Sequence, residues 1–272
     1  MPSPHEDANL ALAYLESKRA PGQRPVPPVP ALPFEPLPAL DAETRRRARV
    51  VALQANERYV QSFLEEHSIC PFSRGGRLQG QTACVVHFVE SSDVQPFLDR
   101  MAEAAAQPGK AVVQIVLPMI SVGAEDFRAF CHAITAAGNA RLPGGETYAV
   151  APLHPELPYL TRNAYSIIPL FRRAPDPTIQ WVRLDALEAL YEGRSQKDKY
   201  VHPSEIAAFL KKPHRKPLFD QIAETNLKMA QRLGLENIER TLRDIRLRAQ
   251  EGYPPVLLVG APPAVRARHE GP

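Results

Sequence analysis

Short apolar runs rich in β-branched residues alternate with stretches of helical pattern, and this alternation limits the fold more than any other feature of the chain. Residues 82–90 read Thr-Ala-Cys-Val-Val-His-Phe-Val-Glu, and residues 110–117 read Lys-Ala-Val-Val-Gln-Ile-Val-Leu. Such continuous runs are strands with both faces buried. Ser91 or Ser92 can cap a helix that runs to about Ala106, where Gln107-Pro108-Gly109 breaks it. Residues 123–138 carry Phe127, Phe130, Ile134 and Ala137 as a helical stripe, and Pro143-Gly144-Gly145 then turns the chain. Residues 146–151 and 178–184 are the third and fourth strands, and Asp185-Ala186-Leu187-Glu188 has capping-box spacing for another helix. Strands separated by helices need crossovers. The expected fold is therefore α/β: a mostly parallel sheet of about four strands covered by helices, with a C-terminal helical appendage.

The flanks differ in texture. Twenty-nine prolines stand against fourteen glycines, and many of them fall in residues 21–41. Proline fixes φ and removes a donor, so this stretch favours an extended conformation and cannot build a core. With a short helix over 8–19, residues 1–42 read as a proline-rich arm, a linker or a surface strap. Residues 41–68 form the first strong helix. Val50, Leu53, Val60 and Leu64 lie at helical spacing with Phe63 beside them, Arg45, Arg46, Arg47 and Arg49 form a solvated face, and Pro71 ends the helix. The α/β core spans 43–192. A helical appendage spans 193–252: a basic, proline-punctuated connector over 211–217, a helix over 218–233 stopped by Gly234, and a seam of Leu235, Ile238, Leu242, Ile245 and Ala249 flanked by Glu236/Arg240 and Glu239/Arg243. The seam serves either a hairpin on the main domain or a homodimer through residues 218–249. Residues 253–272 read as a loose tail with a sticky Val256-Leu257-Leu258-Val259.

Composition excludes several classes. A net charge of +3 over 272 residues gives no global attraction for nucleic acid. No apolar run approaches the length of a membrane span, and the start Met1-Pro2-Ser3-Pro4-His5-Glu6-Asp7 lacks the order of a signal peptide. Cys70, Cys84 and Cys131 make no disulfide framework, so a reducing, cytoplasmic setting is expected. Zinc spacings such as Cys-x-x-Cys and His-Glu-x-x-His are absent from the sequence.

Two places could carry chemistry. Cys70-Pro71-Phe72-Ser73 sets a thiol where a helix stops, ahead of Arg74-Gly75-Gly76-Arg77. The dipole of a helix C-terminus raises a thiol pKa, and Arg74 and Arg77 could offset that or form an anion nest. His154, in Leu153-His154-Pro155, lies at the C-terminal end of a strand, where open parallel sheets place ligands. Cys70 and His154 are the catalytic candidates, as nucleophile and base or as metal ligands. The long loop after the third strand carries Arg162, Asn163, Tyr165, Arg172 and Arg173. Long loops inside compact domains are often functional, and arginines beside a histidine suit an anionic small molecule. Arg74, Arg77, Arg162, Asn163 and Arg172 are the binding candidates. Each also has a bland reading: a packed cysteine, a hydrogen-bonded histidine, loop arginines paired with Glu156 and Asp176.

The order of these motifs resembles a known family. A helix running into Cys70-Pro71-Phe72-Ser73, an Asp126-Phe127 pair, Leu153-His154-Pro155 and a loop ending in Phe171-Arg172-Arg173 are similar to the bacterial and plastid family called domain of unknown function 1415. The resemblance covers roughly 50–192. It differs at Arg162-Asn163, which inverts the family's order, at Ala164-Tyr165-Ser166, and at Leu153, which stands in place of Phe. It marks Cys70, Pro71, His154 and Pro155 as motif positions and implies no activity. The leading expectation is a small-molecule enzyme or metal-dependent protein with a Cys70/His154 site and an arginine-lined anion pocket. The competing one is a non-catalytic interaction protein that uses the arm and the C-terminal helices.

Overall fold

The computed structural model describes residues 27–70, 73–107, 109–142, 148–186 and 218–254. The helix expected over 8–19, the Pro71-Phe72 pair, the Pro143-Gly144-Gly145 turn, the continuation of the helix opened at Asp185, the basic connector and the Val256-Leu257-Leu258-Val259 stretch lie outside them.

Asp41 starts the first helix, α1 (Ala42–Tyr59), by accepting the Thr44 amide at 2.8 Å and the Thr44 hydroxyl at 2.7 Å. This satisfies an amide that the first turn leaves without an intrahelical partner. A π-helical turn, Val60–Glu65, prolongs it, and the chain leaves at Ser68 with φ 54°. The expected apolar stripe is displaced. Val50 and Leu53 are exposed, and the buried face is Ala48, Ala52, Ala55, Asn56 and Tyr59. Small residues face inward because α1 is covered on two sides, by the sheet and by a C-terminal helix.

The sheet holds β1 (Thr82–Val86), β2 (Val112–Val116), β3 (Tyr148–Leu153) and β4 (Thr178–Arg183), in the order β1-β2-β4-β3. Helix α3 (Gln95–Ala105) links β1 to β2, which are parallel, and α4 (Ala124–Asn139) links β2 to β3. A short helix, α2 (Ser73–Leu78), precedes β1. The α/β expectation holds, but the sheet is mixed, not mostly parallel. β4 enters between β2 and β3 and pairs antiparallel with both. The chain returns after β3 through a loop containing the one-turn helix α5 (Ile168–Phe171), and no crossover helix follows to force a parallel strand.

The two faces of the sheet are covered differently. Val113, Ile115, Ile179, Trp181, Tyr148 and Val150 pack against Phe97, Met101, Phe127, Phe130 and Ile134 of α3 and α4. Trp181 is fully buried, and its indole N–H donates to Thr135 at 2.8 Å. The opposite face carries a polar ladder. The Asn56 amide donates to Gln114 at 2.9 Å and to the Cys84 sulfur at 3.3 Å, and Gln114 donates to Gln180 at 2.8 Å. Cys84, Gln114 and Gln180 are register partners on three adjacent strands.

Of the arm, residues 27–42 are described, and three of their side chains pack inward. Phe34 enters the α3/α4 core edge-on to Phe130, with ring centroids 6.0 Å apart, while Leu37 and Leu40 enter the α1 core. Leu37, between two prolines, has a backbone donor to spend, and it donates to the Val89 carbonyl at 2.6 Å. Residues 27–42 thus add side chains to both cores.

The C-terminal hairpin is α6 (Leu218–Leu233) and α7 (Leu235–Gly252), separated by Gly234 at φ 80°. Helix α7 lies on α1, so closely that a Cβ on Gly252 would come within 3.2 Å of Val51. Ile238, Leu242, Ile245 and Ala249 are all 6% exposed or less. The seam is spent inside the chain. Glu239 meets Tyr159 and Arg173 of the long loop. Tyr253, the first residue of the stretch read as a loose tail, is 3% exposed.

Candidate functional site

Strands β2 and β3 end side by side with the start of β4 between them. The segments that leave these ends, together with the last turns of α7, enclose a cleft of about 100 Å³. Met119 and Val122 form one wall, His154 and Glu156 another, and Asp176 lies between Pro175 and Pro177 at the entry to β4. Arg246 and Gln250 of α7 complete the lining, and Tyr253, the residue after α7, donates to Asp176. Strand C-terminal ends are where α/β sheets gather ligand-binding loops.

His154 lines this cleft and is 3% exposed. Its Nδ1 accepts the Glu156 amide at 3.1 Å, so the ring proton sits on Nε2, which donates to the Val122 carbonyl at 3.1 Å. Burial lowers its pKa from the ordinary imidazole value, Glu156 and the Val122 carbonyl draw it partly back, and Arg246 adds to the lowering. The ring is therefore a neutral tie between two walls, and both nitrogens are occupied. Phe127 stands beside it at 5.7 Å between ring centroids.

Asp176 is the strongest chemical feature of the cleft, and the sequence reading gave it no role beyond pairing with loop arginines. It is 4% exposed, and burial pushes its carboxyl up to about 6. The Tyr253 hydroxyl donates to Oδ2 at 2.6 Å, and this bond, the Met119 amide and Arg246 pull the value down only in part. Burial and the adjacent carboxylate hold the Tyr253 phenol well above its ordinary pKa, so it stays a donor. Met119 has φ 60°, a left-handed conformation that costs a non-glycine residue about 1–3 kcal/mol, and its amide faces Asp176. Arg246 spends both Nη atoms on Glu156 Oε1 at 3.1 Å. A carboxyl that titrates near neutrality beside a phenol can take up and return a proton at working pH.

The other candidates lie apart from this cleft. Cys70 is half-buried and does not line it. It stands with Arg172 near the Tyr59 hydroxyl, whose pKa burial raises, Arg172 lowers and Cys70 raises further. The Arg172 carbonyl accepts the His154 amide at 3.0 Å, while its guanidinium is felt by Tyr59 and by His132 of α4. Arg77 is bound at 2.9 and 2.7 Å to Glu65, which also takes the Ser73 hydroxyl at 3.2 Å and feels the charge of Arg74. That pair ties α2 to the π-helical turn and uses the cation expected to hold an anion. Arg162 is exposed, and Asn163 spends its Oδ1 on the amides of Tyr165 and Ser166, a local turn. Among the described residues, no group of three or more His, Cys, Asp and Glu side chains stands close enough to hold a metal ion. No helix among them is long and apolar enough to cross a membrane.

Asp176, Tyr253, Met119 and Arg246 are the site residues that sequence reasoning missed. The legible signal was Pro175-Asp176-Pro177, an acid held by two residues without amide donors immediately before a strand. Comparison with known proteins finds no family model that matches the chain, and no curated protein or solved structure that matches it.

Proposed function

We propose that this protein acts on a small polar molecule held in the cleft at the strand ends, with Asp176 as the group that moves a proton. The observation that carries the reading is a nearly fully buried carboxyl, bonded to the Tyr253 hydroxyl, in a cleft that solvent can enter. Its pKa of about 6 suits general acid–base work near neutrality. Tyr253 orients the carboxyl, and His154 holds the β3 exit against the β2 exit. The resemblance to the domain of unknown function 1415 family adds one point, since His154 and Pro155 of its third motif line the cleft. Cys70 has no step in this reading; it stands near the Tyr59 hydroxyl and does not line the cleft.

The test is a ligand-observed NMR screen of small polar molecules against the full chain, its Asp176→Asn variant and its Tyr253→Phe variant. Ligands of the wild type should lose affinity in both variants, and any turnover found should follow an ionisation near pH 6. Ligands that bind all three proteins equally, or a reaction unaffected by Asp176→Asn but lost in Cys70→Ala, would return the site to the Cys70 loop.

A further inference from the structure

The charges around the cleft narrow what it can accept. Among the described residues, Arg246 and Glu156 neutralise each other. His154 has one protonated nitrogen and one acceptor, both engaged, so it adds no charge. Tyr253 is a neutral donor. Asp176 remains, a carboxylate answered by a phenol and an amide but, among the described residues, by no cation in direct contact. Two donors leave about half of a carboxylate's roughly four acceptor sites unfilled. A buried anion held only by dipoles is costly, and a cation that enters recovers the attraction in a poorly solvated place. An anion would meet Asp176, while the guanidinium of the described lining, Arg246, is already bound to Glu156. Among the described residues, no group of three or more His, Cys, Asp and Glu side chains stands here to hold an inorganic divalent ion. The rest of the wall, Ile120, Val122 and the prolines, suits a short apolar stem.

We infer that the cleft receives a compact organic cation, a primary amine or an amidine, with Asp176 as its counter-ion; this rests on reading the cleft as a small-molecule site. The volume, about 100 Å³, equals roughly three waters at ~30 Å³ each, enough for a charged head and the start of its stem. An ammonium has three donors to offer to the open acceptor sites of Asp176, and Ser121 and Gln250 are polar residues of the same lining.

Three probes of similar shape decide it: n-butylamine, n-butanol and butyrate, each titrated into the full chain while the amide resonances of Met119, Val122 and Glu156 are followed. Butylammonium should saturate these shifts at pH 7.5 and bind about tenfold more weakly at pH 5.0, as a carboxyl with a pKa of about 6 is protonated. Arg246, Glu156, His154 and Tyr253 are the other titratable groups facing Asp176, so the midpoint is assigned from the Asp176 carboxyl carbon itself. Asp176→Asn should lose the amine at pH 7.5. If that variant fails to fold, the pH dependence of the wild type decides alone. Amine binding that is indifferent to pH, or butanol or butyrate saturating the same amides at lower concentration, overturns the cation inference while the cleft stands as a site. If no probe reaches these amides, the inference and the proposed site fall together.

Discussion

Glu65 and Asp176 are both carboxylates pressed into the protein, and they have opposite fates. The Glu65 side chain is 5% exposed and is met by the Arg77 guanidinium through two bonds, which holds its pKa below the usual carboxylate range. Asp176 is 4% exposed and is met by a phenol and an amide, and its carboxyl rises to about 6. A guanidinium compensates charge, whereas dipoles compensate only hydrogen-bonding capacity. The first arrangement fastens α2 to the helix before it and gains from being ionised. The second keeps a carboxyl near its switching point and costs stability when ionised. Depth of burial and the kind of partner together therefore separate a structural carboxylate from one available for chemistry.

The largest test of this contrast is Asp176→Asn. The folded-state pKa of Asp176 lies above its unfolded value near 3.8, so the folded protein holds the proton longer. Its favourable contribution is full below pH 3.8 and is lost as pH rises through about 6. The difference of about two pKa units corresponds to about 3 kcal/mol. Urea unfolding should therefore show the Asn variant gaining about 3 kcal/mol on the wild type between pH 4 and pH 8. Next is Tyr253→Phe, which removes the phenol's bond. It should cost about 1–3 kcal/mol, and the Asp176 midpoint should move above that of the wild type, as read by carboxyl NMR. Glu65→Gln should run the other way from Asp176→Asn. It should lose about 1–2 kcal/mol at pH 7, with the deficit shrinking as acid protonates Glu65 in the wild type, since a depressed pKa stabilises only above it. The smallest effect belongs to Arg246→Ala. Its bond to Glu156 is surface-exposed and worth about 0–1 kcal/mol, but losing the cation should raise the Asp176 midpoint by a fraction of a unit.

The sequence made the local parts of this molecule legible and hid those that depend on what lies opposite. Strand and helix alternation is local, so β1, β2, β4 and the helices between them stand where the pattern puts them. The insertion of β4 between β2 and β3 is a choice of long-range partners that no local pattern encodes. The inner face of α1 was misread because large apolar residues mark a face that meets one surface. Between a sheet and a second helix, the alanines at 48, 52 and 55 fit and Val50 and Leu53 are left outside. His154 was legible from its place at a strand end. Asp176 and Tyr253 were not, because their bond joins residues 77 positions apart and one of them sits in what reads as a tail. Arg77 and Asn163 looked like ligand-binding groups because the partners that occupy them, Glu65 and the Tyr165 and Ser166 amides, carry no sequence signature of pairing.

The most direct measurement is the titration of the Asp176 carboxyl carbon by 13C NMR in the full chain without added ligand. The midpoint expected is about 6. A midpoint at or below 3.8 would show that the carboxylate is compensated as Glu65 is, and would contradict the assignment of the cleft as a place where a proton is exchanged.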